Sequence, residues 1–393
     1  MKKKEQFPIK ELKIALSNLD KILLKNLNDS KMELGLLGGN CGSFIFLLKR
    51  KKVDLTEKLN LFFSQVDTID SPSLASGYVG FGWFSQYLLS EEFLEEESIE
   101  ELLLQIDQHT YLTTLNFIKE NNHDFLYGAT GNAFYLLSRL KENNNIEKYL
   151  TRIVKNLNLI SKKSKLGNYW LESDFYSLES NKNEKIINLS LSHGLASKIV
   201  LFSKLYEAKI APELSKELLI GGVNFMLNSK NSKGNTSIFP TSINSSDSNF
   251  SRLAWCYGDL GIGIALWNAG VALGDYTIKQ EALDICLSTT LRKKQEDTGV
   301  VDIGICHGTS GIAHIYSRMY HYTKRIEFKD AANYWIAKTL KVTMFEEDFI
   351  LKPLYAPKKR KDFQSCDRAK YNVRGKKSNN HTNIVIESLT VNK

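Results

Sequence analysis

The feature that most restricts this chain is a short frame that recurs six times, a pair of small residues three apart followed by an apolar run. It reads Gly39-Asn40-Cys41-Gly42 before Phe44-Ile45-Phe46-Leu47-Leu48, then Gly77-Tyr78-Val79-Gly80 before Trp83 and Tyr87-Leu88-Leu89. Gly128-Ala129-Thr130-Gly131 precedes Phe134-Tyr135-Leu136-Leu137, and Gly194-Leu195-Ala196-Ser197 carries serine at its second small position. Gly258-Asp259-Leu260-Gly261 and Gly308-Thr309-Ser310-Gly311 complete the set. The first glycines fall at 39, 77, 128, 194, 258 and 308, and internal repetition on this scale decides the architecture before any other signal.

Between the frames lie stretches with helical periodicity, over about 8–28, 55–66, 97–120, 145–160, 211–228, 276–292 and 327–345. A helix that is apolar nearly all round belongs inside, and an amphipathic one outside. The alternation of turn, apolar helix, amphipathic helix and loop predicts an all-α chain, an α/α toroid of repeated helical hairpins over 1–349. Small residues at the start of each apolar helix are expected to let neighbouring backbones approach. Strand signals are sparse, with Tyr169-Trp170-Leu171 and Ile238-Phe239 as short extended pieces.

Composition narrows the function. The formal charge of +8 suggests a nucleic-acid partner, but residues 352–393 hold 11 Lys and Arg against 3 Asp and Glu. The rest of the chain is therefore balanced, and no nucleic acid is expected as a partner. The basicity sits in 350–393, which lacks apolar periodicity and is expected to be disordered. No apolar run approaches the roughly 20 residues of a membrane span. Met1-Lys2-Lys3-Lys4 has no apolar segment after it to make a signal peptide. Five scattered cysteines (41, 256, 286, 306, 366) suit a reducing cytoplasm.

In a toroid, equivalent positions of successive repeats converge at one mouth. Two residues before the first glycine stand Leu37, Ala75, Leu126, Ser192, Cys256 and Cys306; one residue before it stand Gly38, Ser76, Tyr127, His193, Tyr257 and His307. Reactive side chains gather in repeats four to six. Cys256, Cys306 and His307 form a Cys₂His set, the type that binds one Zn²⁺ and leaves a fourth position open for a substrate thiol. The plain alternative is buried small cysteines and a satisfied core histidine. His193 can exchange a proton near neutral pH. Asp124, four residues before Gly128, can orient such a base or cap a helix, and neighbouring His123 leaves the register open by one. Arg252 can stabilise developing negative charge or cap a loop.

The motifs Ser192-His193-Gly194, Trp255-Cys256-Tyr257-Gly258-Asp259 and Cys306-His307-Gly308, in that order, resemble those of the lanthionine synthetase C family. With the glycine frames, the resemblance spans about residues 8–346. It implies zinc held by Cys256, Cys306 and His307, His193 as acid/base, Asp124 as its partner, and Arg252 and Tyr257 at polar active-site positions. The implied reaction adds a peptide cysteine thiol to dehydroalanine or dehydrobutyrine, closing a thioether ring in a dehydrated precursor peptide, with no organic cofactor. It also implies a dehydratase and an exporter as partners, and a cytoplasmic location, peripheral at the inner membrane through the exporter complex. The chain departs from the family after Glu347, where a seventh Gly-rich hairpin is expected and Lys358-Lys359-Arg360-Lys361 stands instead. Two rivals follow: a LanC-like protein that binds zinc and thiol peptides without catalysis, and a zinc-thiolate prenyltransferase, which would want an aspartate ligand in place of one cysteine, a case that Asp259 is too weak to supply.

Overall fold

The computed structural model describes residues 9–28, 32–51, 53–95, 99–173, 185–243 and 250–343. The basic segment expected over 350–393, and with it the seventh hairpin, lies outside the described residues. Six helices each begin at a recurring frame: α2 (Cys41–Arg50), α4 (Tyr78–Ser90), α6 (Ala129–Ser138), α8 (Leu195–Glu207), α10 (Asp259–Ala272) and α13 (Thr309–Thr323). Their companions are α3 (Thr56–Phe63), α5 (Glu100–Lys119), α7 (Ile146–Ile160), α9 (Pro212–Leu227), α11 (Tyr276–Thr289) and α14 (Ile326–Thr343). Helix α1 (Ile9–Asn26) precedes the first pair, and a single turn, α12 (Gln295–Thr298), precedes the last.

The two helix types differ in how they are buried. Helix α10 is buried almost all round, from Asp259 through Leu266 and on to Gly270. Helix α7 buries only Ile146, Leu150, Ile153, Val154 and Leu157, a single stripe, and leaves Leu159 in water. Helices α4, α6, α8 and α10 touch in succession, and from α4 onward each inner helix packs on its outer companion. The result is the expected α/α toroid. Around α2, α3 and α4 the rings of Phe44, Phe62, Phe81 and Phe84 form one aromatic cluster, with Phe44 and Phe62 centroids 4.8 Å apart. Each such side chain contributes about 1.5–3 kcal/mol on burial.

The recurring glycines do more than expected. They admit the preceding repeat, since a Cβ on Gly80 would stand 2.9 Å from Leu36 Cβ and one on Gly131 3.0 Å from Leu74 Cβ, and they also lie under the backbone of their own approach loop. A Cβ on Gly131 would stand 1.8 Å from the Phe125 carbonyl oxygen, and one on Gly311 1.8 Å from that of Ile305. In both frames the blocking carbonyl is six residues back, so the loop crosses the start of its own helix. Gly258 adds a backbone requirement, since its φ of +91° is left-handed and its Cβ would meet the Arg252 carbonyl at 2.0 Å. In the fourth frame Ser197 turns its hydroxyl back to the Gly194 carbonyl at 2.7 Å.

Successive turns are joined by main-chain hydrogen bonds at the position two before the glycine. Leu37 N–H donates to Ala75 O (2.8 Å) and Ala75 N–H to Leu126 O (3.0 Å). Ser192 N–H donates to Cys256 O (3.1 Å) and Cys256 N–H to Cys306 O (3.2 Å). Between Leu126 and Ser192 the ladder changes character: the Asp124 carboxylate accepts the Leu126 N–H at 2.6 Å. Helix α1 packs against both α2 and α14, so the first and last hairpins of the described ring share a neighbour.

Short antiparallel strands fill the long loops. β1 (Lys162–Ser164) pairs with β2 (Gly167–Tyr169), and β3 (Glu172–Ser173), β4 (Lys185–Asn188) and β5 (Ser242–Ile243) form a second sheet in that order. Of the extended pieces expected from sequence, only Tyr169 falls in a strand. The Ile238 and Phe239 N–H groups instead donate to the Asp259 carboxylate, at 3.0 and 2.9 Å. Among the described residues no helix is long and apolar enough to cross a membrane.

Gly131→Ala is expected to cost about 1–3 kcal/mol or more by overpacking against the fixed Phe125 carbonyl. Gly38→Ala, whose Cβ would meet only the Ser76 side chain at 3.7 Å, should stay within about 0.5 kcal/mol. Urea denaturation of both variants checks the contrast.

Candidate active site

The turns before α8, α10 and α13 bring the reactive residues together because the ladder joins those three turns. Cys256 is fully buried, and its carbonyl accepts the N–H groups of Leu191 and Ser192 and the Ser192 hydroxyl (3.2 Å). Its own N–H reaches the Cys306 carbonyl. The sulfurs of Cys256 and Cys306 and a ring nitrogen of His307 all lie within 4.8 Å of one another. The expected trio therefore converges. Cys41 and Cys286 do not join it: both are buried elsewhere, and burial pushes their thiols up, Cys286 to about 12.

His307 is held by a residue that the sequence reading missed. Its Nε2–H donates to Asp302 Oδ2 at 2.9 Å, and its Nδ1 is buried without a hydrogen-bond partner among the described residues. Burial pulls the imidazole pKa down, but Asp302 and the nearby Cys256 sulfur outweigh it and raise it to about 10. On Asp302, burial acts upward and is overcome by the His307 hydrogen bond and charge, the Gly304 N–H and the Arg252 charge, leaving the carboxyl below its usual range. Asp302 and Arg252 share a register, each six residues before its first glycine. Extending the register by that step would have found Asp302.

The donor set suits a zinc ion. Two sulfurs and one imidazole match a Cys₂His ligand count with a fourth position left over. A histidine whose far nitrogen is tied to a carboxylate presents its other nitrogen in a fixed orientation. That is the arrangement here, with Nδ1 as the nitrogen left for the metal.

Across the next turn stands His193, 2% exposed, with Nδ1–H donating to Asp124 Oδ2 at 2.5 Å. The other Asp124 oxygen accepts the N–H groups of Leu126 (2.6 Å) and Tyr127 (2.8 Å). This resolves the register: Asp124, and not His123, partners His193. Burial pushes the Asp124 carboxyl up, but the His193 charge and hydrogen bond, the Tyr127 N–H and the Lys198 charge hold it below the ordinary carboxylate value. With Nδ1 committed to Asp124, Nε2 is the His193 nitrogen on the side of the ring away from the carboxylate. Tyr257 leans over His193 with ring centroids 5.8 Å apart, and Trp255 meets Phe125 edge-on at 5.9 Å. Arg252 lies within electrostatic reach of Asp302.

Asp259 does not belong to the site. Besides the Ile238 and Phe239 N–H groups it accepts Arg292 Nη1–H at 3.0 Å, so it clamps the loop before α10 to that helix. A carboxylate spent in this way is not a metal ligand, in keeping with the expectation that Asp259 does not supply the aspartate that a prenyltransferase would need.

The fold and its mouth define a helical toroid lined on one side by thiols and imidazoles. The family model for "Lanthionine synthetase C-like protein" matches residues 19–348, and the chain belongs to that family. Among solved structures it is similar to one titled "Nisin cyclase", with a TM-score of 0.68 and 21% sequence identity, over 83% of this chain and 86% of that one. No curated protein sequence matches it.

The folded Asp124 pKa lies below its unfolded value of about 3.9. Its interactions therefore stabilise the protein above that pH and are lost as pH falls through the folded value. Asp124→Asn is expected to flatten the acid limb of stability against pH, read by urea denaturation at a series of pH values.

Proposed function

We propose that this protein is a zinc-dependent cyclase that adds the cysteine thiol of a dehydrated peptide to dehydroalanine or dehydrobutyrine, forming (methyl)lanthionine rings. The observation that carries the reading is the meeting, on turns joined by the Cys256 carbonyl, of a Cys₂His cluster and a carboxylate-held histidine. Thiol capture and proton transfer are the two requirements of the reaction, and each has its own turn.

Cys256, Cys306 and His307 would hold one zinc ion per chain. Bound there, the metal supplies acidification of a peptide thiol that is mostly protonated at neutral pH. The sulfur forms a bond to the β-carbon, and the π pair of the C=C bond moves toward the α-carbon and its carbonyl. His193 takes up, on Nε2, the proton released by the thiol and delivers it to the α-carbon, so the addition is balanced with no net change in protons. Asp124 keeps the Nδ1–H in place, so Nε2 is the nitrogen aimed at substrate and the imidazolium is stabilised when it forms. Arg252, whose charge is felt by Asp302, would balance charge developing on the substrate carbonyl, and Tyr257 would shape the wall beside His193. The product has the mass of the substrate, so free thiols are counted by alkylation before mass spectrometry.

His193→Asn is expected to keep its zinc and lose about 10²–10⁴-fold in ring formation, the usual contribution of acid/base catalysis. Alkylation-coupled mass spectrometry of a dehydrated peptide reads the rate, and elemental analysis reads the metal. Ring formation at the wild-type rate by this variant would defeat the assignment. Asp302→Asn is expected to weaken zinc binding about 10–100-fold through loss of the fixed His307 orientation, measured by competition with a chelating dye. The Cys306→Ala/His307→Ala double variant should bind no zinc.

A further inference from the structure

Behind the Asp124–His193 pair lies a second group of ionisable side chains that the proposed chemistry does not use. Lys198 sits on α8, five residues after His193, and its side chain is wholly excluded from solvent. Its ammonium donates to Glu172 Oε1 at 3.1 Å and to the Gly194 carbonyl at 3.3 Å. Gly194 is the residue that follows His193. Glu172 Oε1 is also 3.3 Å from Nδ1 of His123, the residue that precedes Asp124. His123 is 1% exposed, and its Nε2 lies 3.1 Å from the Leu171 carbonyl. That carbonyl also accepts Asn121 Nδ2–H at 2.8 Å.

These contacts meet on two consecutive residues, Leu171 and Glu172. On one side they hold the loop Asn121–His123, which delivers Asp124. On the other they hold Lys198 and, through it, the turn that delivers His193. Glu172 is further tied to the chain by strand pairing, opposite Ile186 in β4, and β4 runs on toward the same turn. The position matters because, among the described residues, the main-chain ladder has no rung between Leu126 and Ser192 in which one turn's N–H meets the next turn's carbonyl. Asp124 and His193 belong to the two repeats on either side of that step, and their register there depends on side chains.

We propose that Lys198 and Glu172, with His123, form a positioning element that tethers the Asp124 turn to the His193 turn and so sets the orientation of the His193 ring. A buried ion pair is a poor source of stability, since well-packed apolar residues of similar volume often do as well or better. Geometric definition is the role that its contacts support. Electrostatics point the same way: the Lys198 charge helps to keep Asp124 ionised, as hydrogen bonding to Nδ1–H of His193 requires.

The test uses the full chain, labelled with ¹⁵N at histidine, and long-range proton–nitrogen correlation spectra at one pH near neutrality. The His193 resonances are assigned by their loss in His193→Asn. In the wild type His193 should show a protonated Nδ1 engaged with a carboxylate. Lys198→Met and Glu172→Gln should each disperse that signature into mixed tautomers and slow ring formation by about 10²-fold, the scale of a small misplacement of a reacting group. Zinc content should not change. The Lys198→Met/Glu172→Gln double variant, neutral as a pair, should remain impaired because the link to the Gly194 carbonyl is gone. Return of the double variant to the wild-type spectrum would mean that the pair acts only by charge balance, and the proposal falls. It falls equally if both single variants leave the spectrum unchanged. Arg139→Met breaks a comparably buried pair with Asp107 away from these turns, and an equal His193 disturbance there would reduce the effect to general loosening. Should Lys198→Met fail to fold, Glu172→Gln carries the test, since it keeps the shape of a side chain that is 14% exposed. The turnover measurement rests on the cyclase reading, whereas the histidine spectrum does not, so the failure of one is separable from the failure of the other.

Discussion

The ladder of main-chain hydrogen bonds at the mouth of the toroid is the interaction on which the rest of the structure depends. It links residues two positions before each frame glycine, Leu37 to Ala75 to Leu126, and Ser192 to Cys256 to Cys306. A main-chain bond of this kind has no side-chain freedom, so it fixes the spacing of neighbouring turns to within the tolerance of one N–H···O contact. The glycines make it possible. With a Cβ at Gly131 or Gly311 the approach loop could not cross its own helix, and the turn would leave the register in which the next repeat finds it.

Much of this was legible in the sequence. The helical hairpins were readable because frame and periodicity agree at every repeat, and all six inner helices begin within the frames. The convergence of Cys256, Cys306 and His307 followed from their register alone, since equivalent positions in a ring must face one another. What stayed hidden depended on contacts between unlike positions. Lys198 reads as one more helix residue, and Glu172 as one more loop acid. Only the placement of Leu171 and Glu172 beside the two turns brings them together. The action of the glycines was legible only in part for a related reason. A tetrapeptide shows that space is needed but not which atoms need it, and here a carbonyl of the same repeat crowds the position more tightly than the neighbouring repeat does.

Asp302 and Asp259 show how one residue type parts into different tasks. Both are largely buried carboxylates beside a turn, and each has an arginine within its field. Asp259 accepts two main-chain N–H groups and Arg292 and is used up in holding a loop. Asp302 accepts the Gly304 N–H on one oxygen and spends the other on His307. The difference is which partner remains movable. A loop clamp ends at its own hydrogen bonds, whereas a carboxylate on an imidazole transmits its orientation to the far side of the ring.

The step without a rung also has a mechanical meaning. Cys256, Cys306 and His307 all stand on one run of the ladder, in turns bonded main chain to main chain. Asp124 and His193 stand on opposite sides of the break, joined by a side-chain hydrogen bond and, behind it, by the contacts of Lys198, Glu172 and His123. A small rotation of the first three hairpins against the last three would therefore be felt at the Asp124–His193 hydrogen bond while the spacing of the sulfurs stayed as it was. The toroid resembles in this respect a split washer, with the Asp124–His193 pair bridging the gap.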